Sequence, residues 1–368
     1  MLPALRSDAL SLADVMPSCL AALRGEANTL GLPGVRAAIV LLVDGLGAHA
    51  LRDRAGHART LSASAVSMDS GFPTTTASAL ATLTTGTRAG QHGLVGYTVL
   101  DAESDRLINQ LSGWEGLDPR AWQGMPTAFE QAVDAGLRAS AIMPTRYHDS
   151  PFTHAVLRGA AYVAGVTVAD RLAAATALLA IPGAPQLIYV YVYELDKAGH
   201  AYGWESDQWT TALEDLDAAL RDFVLPRDVG LIVTADHGMI DVGAHNQVLF
   251  DTEPELIEGV AHVGGEPRCL QLYFRADADP SATIAAWRES EDSRSWVVTR
   301  DDAIAAGWFG EVRPGVETRI GDLIVAARKS IAYYSSNASQ RSRAMIGQHG
   351  SWSPAEVQVP LIKLGAFG

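Results

Sequence analysis

Cysteine is nearly absent: the 368 residues hold two, Cys19 and Cys269, with no CxxC pair and no metal-type spacing. That excludes a disulfide framework and fits a reducing compartment, where both thiols are expected to be buried packing residues. Long apolar runs are missing too. The longest, "AAIVLLV" at 37–43, falls far short of the roughly 20 residues that span a bilayer, so no membrane partner is expected. The opening "MLPALRSDALSLADVMPSCLAALRGEA" has no charged stretch leading into a sustained apolar one, and Asp8 and Asp14 interrupt what pattern there is. A secretory leader is therefore not expected, and the chain reads as cytoplasmic. Lys and Arg nowhere gather into a stripe, and the formal charge is −14. A nucleic-acid polymer is thereby a poor partner, whereas a small anionic substrate stays compatible if metal ions supply local positive charge. Internal repeats and low-complexity tracts are absent as well.

The composition that remains, 48% apolar and 19% charged, is that of an ordinary folded chain. Its length suits one large α/β core with an inserted subdomain. Four β-type runs, "AAIVLLVDGLG" (37–47), "ASAIMPT" (139–145), "QLIYVYVYELD" (186–196) and "VGLIVTADHG" (229–238), each stop at a turn and hand over to a helical pattern. That rhythm predicts a mostly parallel sheet with crossover helices. In "PTAFEQAVDAGL" (126–137), Thr127 and Glu130 form a capping-box pattern with Gly136 at the helix end. In 206–224, Trp209, Leu213, Leu216, Leu220 and Phe223 recur at spacings of four and three, so one face packs on the sheet. From 251 to 344 the β runs shorten, and we expect an inserted α+β subdomain there. The core would then comprise 1–250 and 345–368, with "VQVPLIKL" (357–364) rejoining the sheet. The polar, Gly-rich stretch "YYSSNASQRSRAMIGQHGSWSP" reads as a loop closing over a site.

Ligands of open parallel sheets sit beyond the carboxyl ends of the strands. Asp44, Asp196, Asp236 and His237 follow the β runs, His200 comes four residues after Asp196, and His349 lies in the late loop. Three carboxylates and three imidazoles gather at one edge; the carboxylates cost several kcal/mol each to bury without cations, and the mixture suits Zn²⁺, with Mn²⁺ or Fe also compatible. The segment "GFPTTTASALATLTTGT" (71–87) adds seven threonines. A helix starting near Thr74 to Thr76 and stopping at Gly86 would aim its first-turn N–H groups at an anion. Thr82, Thr84, Thr85 and Thr87 then read as caps and packing, while one of Thr74, Thr75 and Thr76 becomes a candidate nucleophile activated by metal.

The stretches "VDGLG", "GFPTTTASALATLTTGTRAGQHGLVGY", "ELDKAGHAYG", "TADHGM" and "QHGSWSP", in this order, resemble the alkaline phosphatase superfamily, specifically its nucleotide pyrophosphatase/phosphodiesterase branch. The resemblance implies an alkaline-phosphatase-like three-layer α/β/α sandwich and hydrolysis of a small phosphate ester through a phosphothreonine. It implies Thr76 as nucleophile, four positions after Phe72, with two metal ions, typically zinc. One ion would take Asp196, His200 and His349; the other Asp44, Asp236 and His237, with Thr76 completing its shell. Two positions depart from the pattern: Thr75 stands where a Lys is frequent, and Tyr97 where an Asn usually contacts a phosphate oxygen. Tyr97 is thereby a candidate substrate-binding residue, as is Lys197, which lies beside the ligand Asp196 and could neutralise substrate charge. His92 is expected to be structural, and Tyr202, Trp204 and Trp352 to serve packing. A phosphomonoesterase, a phosphonate hydrolase and a phosphosugar mutase are the rival chemistries within the superfamily, and a non-catalytic metal-binding relative is the rival outside catalysis. A sulfatase is disfavoured, because neither Cys19, which precedes "LAA", nor Cys269, which precedes "LQL", lies in a Cys-x-Pro-x-Arg setting.

Overall fold

Four of the β runs form the parallel centre of a seven-stranded sheet. The computed structural model describes residues 2–4 and 9–368, leaving Asp8 outside. In spatial order the strands are Val66–Asp69, Gln358–Gly365, Val229–Thr234, Ala37–Val43, Gln186–Val192, Arg138–Met143 and Ala161–Ala164. The last five pair in parallel. Gln358–Gly365 runs antiparallel between Val229–Thr234 and Val66–Asp69, so the chain end does rejoin the sheet. Every residue of Ala37–Val43, Gln186–Val192 and Val229–Thr234 is buried. Helices covering both faces of a parallel sheet require such unbroken apolar strands, which is why those runs lack polar alternation.

The helices follow the local signals. Ala128–Asp134 opens on the Thr127/Glu130 box, with the Glu130 N–H donating to Thr127 Oγ1 at 3.1 Å and the Thr127 N–H to Glu130 Oε2 at 3.0 Å. Asp207–Arg221 is capped by Ser206 and buries Trp209, Leu213, Leu216 and Leu220. One boundary differs from expectation. The run from 186 stops at Val192, and Glu194–Tyr202 is a helix that carries Asp196 and His200 one turn apart. "ELDKAGHAY" holds straight-chain and Ala residues that lose little freedom in a helix, and these override the β-rich run before them.

Between 251 and 344 the chain builds a separate four-stranded antiparallel sheet: Val260–Glu266, Cys269–Phe274, Leu323–Ala327 and Ser295–Thr299. It has its own apolar core around Leu272, Trp287, Val325 and Tyr333. The late polar stretch contains the short helix Gln340–Arg343 and a two-residue strand, Gly347–Gln348, paired with Ile240–Asp241. Among the described residues no helix is long and apolar enough to cross a membrane. Cys19 and Cys269 are free and buried.

Candidate active site

Three adjacent strands deliver the acids. Asp44 directly follows Ala37–Val43, Asp236 lies two residues beyond Val229–Thr234, and Asp196 stands on the helix after Gln186–Val192. Close approach of these segments depends on Gly45. It has φ +77°, a Cβ there would meet Asp196 Cα at 3.0 Å, and its N–H donates to Asp236 Oδ1 at 3.1 Å. A side chain would strain the backbone and push the two carboxylate-bearing segments apart.

The threonines divide their work. The helix Thr76–Thr85 ends at Gly86 in the left-handed region (φ 67°), as the sequence predicts. Thr84 and Thr85 bond back to Leu80 and Ala81 carbonyls, and Thr82 Oγ1 lies 3.0 Å from His92 Nε2. His92 Nδ1 accepts from the Leu94 N–H, so this buried imidazole is neutral and braces the turn after the helix. Thr74 Oγ1 donates to the Ser351 carbonyl and accepts from the Gly350 N–H, which ties the strand-to-helix turn to the loop carrying His349. Thr75 is the N-cap residue, yet its side chain makes no capping bond. Thr76 is the one that faces the acids, with Oγ1 3.2 Å from His237 Nε2.

All three imidazoles are oriented alike. His200 Nδ1 lies 2.7 Å from the Gly347 carbonyl, His349 Nδ1 2.8 Å from the Thr74 carbonyl, and His237 Nδ1 3.2 Å from the Gly238 carbonyl. A carbonyl only accepts, so each Nδ1 carries the proton and each Nε2 offers a lone pair, the arrangement found behind metal-bound histidines. Asp44 Oδ1, Asp196 Oδ1 and Asp236 Oδ2 are buried without a hydrogen bond. Their nearest charge partners are imidazole Nε2 atoms at 3.2–3.5 Å. Buried acceptors aimed at one another, with imidazole lone pairs among them, fit cations and little else.

Candidate ligand atoms of Asp44, Asp236 and His237 lie within 4.8 Å of one another, as do those of Asp196, His237 and His349. The first group matches the set expected with Thr76. In the second, His237 takes the place expected for His200. The His237 ring stacks on His349 with centroids 3.6 Å apart, whereas His200 turns its Nε2 to Asp196 Oδ1 at 3.2 Å.

The electrostatics report the same crowding. Burial, then Asp196 and Asp236, push the Asp44 carboxyl well above the usual range, against the hydrogen bond donated by Tyr191. Burial also acts to raise Asp196, but His200, then His349 and His237, outweigh it and bring it to about 2. Burial lowers His349 well below an ordinary histidine, and His237 and His200 add to the effect. His200 is raised, because Asp196 outweighs its burial.

A cavity of about 860 Å³ opens over this floor, and Thr76, Tyr97, Asp196, Lys197, His200 and His349 line it. Tyr97 and Lys197 are thus brought to the site. Tyr202 is 55% exposed and absent from the lining, Trp204 is buried against Trp209, and Trp352 stacks flat on Phe72 at 4.9 Å. Sequence reasoning missed Tyr191, Arg146, Tyr147, Tyr193, Glu266 and Arg341 in the same lining. For Tyr191 a signal was available: "YVYVY" alternates with period two, placing Tyr189 and Tyr191 on one side of the strand, with Tyr193 one residue beyond its end. Glu266, buried and 3.5 Å from His349 Nδ1, arrives from the four-stranded sheet, and nothing local marks it.

The sequence profile of the type I phosphodiesterase/nucleotide pyrophosphatase family matches residues 38–352. Ectonucleotide pyrophosphatase/phosphodiesterase family member 3 of Mus musculus is 28% identical over 188 residues, covering 46% of this chain. The chain spans about a fifth of that relative's length, 20%. Among solved structures, murine ectonucleotide pyrophosphatase/phosphodiesterase 5, including an inactive variant in complex with AMP, superimposes with TM-score 0.71. The human counterpart gives 0.69, and each is 17% identical, covering 88% of this chain and 87% of the other. These likenesses give the fold: a mixed α/β, alkaline-phosphatase-like architecture around a mostly parallel sheet.

Proposed function

The chain belongs to the type I phosphodiesterase/nucleotide pyrophosphatase family, and we propose from that premise that it hydrolyses a small phosphate diester or pyrophosphate through a phosphothreonine on Thr76. The observation that carries this reading is the placement of Thr76 Oγ1, 3.2 Å from His237 Nε2 beside Asp44 and Asp236, at the start of a ten-residue helix. The first-turn N–H groups of that helix have no intrahelical acceptor, and Thr75 does not cap them. They are free to hold non-bridging phosphate oxygens.

Asp44, Asp236 and His237 would hold one divalent cation and Asp196, His349 and His200 a second, with zinc favoured by the nitrogen and oxygen donors. Bound there, the cations would lower the pKa of a nearby hydroxyl and offset the charge of the phosphate. Thr76 gives its hydroxyl proton to solvent and its Oγ forms a bond to phosphorus while the bond to the leaving oxygen breaks in line; a leaving alkoxide takes up a proton from solvent, and a leaving phosphate departs as the anion. Water then adds to the phosphothreonine, breaking the P–O bond to Thr76 and returning the hydroxyl. His237, with its Nδ1–H fixed on the Gly238 carbonyl, keeps its Nε2 toward Thr76. Tyr191 holds the Asp44 carboxylate in place through its hydroxyl.

Murine ectonucleotide pyrophosphatase/phosphodiesterase 5 has been solved with AMP, which supports a nucleotide-sized substrate here. Tyr97, 37% exposed in the cavity wall, favours a second reading, a monoesterase or phosphonate hydrolase. Its phenol offers one donor where an Asn amide offers two, and its ring takes up pocket space that an amide leaves open. Zinc-reconstituted protein assayed on bis-p-nitrophenyl phosphate, p-nitrophenyl phosphate and a phenylphosphonate ester separates the readings, with Thr76→Ala as control. Diester preference with a dead control supports the first reading; monoester or phosphonate preference supports the second; normal turnover by Thr76→Ala overturns the proposed nucleophile.

A further inference from the structure

Of the proposed ligands, only His349 is mounted on a late loop, directly after the two-residue strand Gly347–Gln348. The four-stranded sheet grips that loop. Ser351 Oγ donates to the Ala327 carbonyl at 2.6 Å, and Arg268 pairs with Glu356 where both side chains are fully buried. Arg268 belongs to the tight turn between Val260–Glu266 and Cys269–Phe274, in which Glu266 faces Cys269 across Pro267 and Arg268. The Pro267 carbonyl accepts from the Tyr333 N–H at 2.7 Å, which ties the turn to the strand Ala332–Tyr334.

The same turn places Glu266 beside His349. Its Oε2 lies 3.5 Å from His349 Nδ1, the nitrogen whose proton goes to the Thr74 carbonyl at 2.8 Å. Gly350 makes room for this approach, because a Cβ there would meet Glu266 Cγ at 2.5 Å. Among the described residues, Glu266 is the only acid outside the ligand sets that pairs with any of the three imidazoles. Its Oε1 is buried with no hydrogen bond. A carboxyl held in this way costs stability, and an apolar side chain of similar size would fill the space at less cost.

What the position offers is a second acceptor behind a ligand nitrogen. His200 and His237 each have one carbonyl there, whereas His349 has a carbonyl and an acid. An acid on the Nδ1–H side fixes the ring orientation and makes Nε2 a more basic donor to a metal. We propose that Glu266 is a positioning residue for His349, through which the four-stranded sheet sets the affinity of the cation held by Asp196 and His349. The proposal rests on reading His349 as a metal ligand and not on which ester is cleaved.

Zinc binding tests it apart from turnover. Competition against a chromophoric chelator resolves the two zinc affinities of the wild-type protein, and His349→Ala identifies which of them belongs to His349. Glu266→Gln should weaken that one by about 10–100-fold, the range for partners behind a ligand, and change the other by less than about threefold. On the His349→Ala background Glu266→Gln should have no further effect on the remaining ion, since a pairwise coupling vanishes with its partner. Glu266→Asp keeps the acid but withdraws it by a methylene. It should show the same one-sided loss at smaller size, and it decides the matter if the Gln variant does not fold. Unchanged affinities, an equal fall at both sites, or a loss that persists without His349 overturns the proposal. A wild-type protein that binds fewer than two zinc ions overturns it together with the metal reading. A one-sided loss in a protein that turns over no ester leaves the proposal standing and removes the proposed reaction.

Discussion

Glu356→Gln should unfold the protein several degrees early, and the size of the effect follows from an ion pair with no exposure to water. Arg268 and Glu356 are each 0% exposed and pair twice, Nε to Oε1 at 2.8 Å and Nη2 to Oε2 at 2.7 Å. Arg268 also donates to the carbonyls of Lys329 and Ile331, while Glu356 accepts from the Ser351 N–H and the Ser353 hydroxyl. The pair therefore fastens the loop carrying His349 to the hairpin of the four-stranded sheet. An amide in place of the carboxylate leaves a buried guanidinium uncompensated, which costs about 3–5 kcal/mol. With an unfolding entropy near 2.1 cal/mol/K per residue, a chain of this length converts that into a Tm drop of roughly 4–6 °C. Scanning calorimetry at fixed zinc measures it, and a Tm within about 1 °C of wild type refutes the reasoning. The double variant Arg268→Met/Glu356→Leu removes the stranded charge, so it should regain part of the loss. It regains only part, because Ser351 N–H and the Lys329 and Ile331 carbonyls then have no partner. A double variant less stable than the single one would show that unpaired charge is not the cause.

The remaining expectations concern pH and metal. Burial, then Arg313 and Arg319, push His92 down to about 3, against about 6.5 in an unfolded chain. The unfolded state binds more protons between those values, so stability falls as pH drops below about 6.5. Between pH 6.5 and 5 the loss is about 2 kcal/mol, or roughly 2–3 °C in Tm. His92→Gln keeps a donor toward Thr82 and should flatten that limb; an unchanged slope assigns it elsewhere. Asp236→Asn should weaken zinc binding beyond the about 10–100-fold typical of residues behind the ligands, measured by dialysis against a chelator, and full occupancy would move the site. Thr76→Ala should retain its metal while losing turnover, and loss of metal would make Thr76 a structural ligand first.

The centre of the sheet was legible because its strands are buried on both faces. Ala37–Val43 is apolar throughout and Val229–Thr234 is interrupted only by its last residue, Thr234, so both stand out as short apolar runs. Asp44 and Asp236 were legible by position, as the first acids beyond those runs. Asp196 was found for a partly wrong reason. The run of Tyr and Val before it suggested a strand reaching to the acid, while helix-forming residues from Glu194 onward had already taken the backbone over. The i,i+4 spacing of Asp196 and His200 was the better clue, since it repeats a helical turn. Glu266 and Arg146 had no clue of this kind. One is carried in by a strand of the other sheet and the other meets Tyr193, 47 residues away in sequence. Contacts of that range are set by the packed fold and leave no local period.

The three consecutive threonines show what such long-range contacts add. Thr74, Thr75 and Thr76 are chemically identical, and helix-start signals cannot rank them, because each lies within two residues of the helix start. The ranking comes from what the surrounding chain brings to each hydroxyl. The loop at 349–351 takes both hydrogen-bonding capacities of Thr74, donor to Ser351 and acceptor from Gly350. Thr75 Oγ1 is buried without a hydrogen-bond partner. Thr76 alone is left facing an imidazole lone pair and two unpartnered carboxylate oxygens. The hydroxyl of Thr74 is committed to the loop, that of Thr75 is enclosed away from the acids, and that of Thr76 is the one that meets the proposed metal ligands.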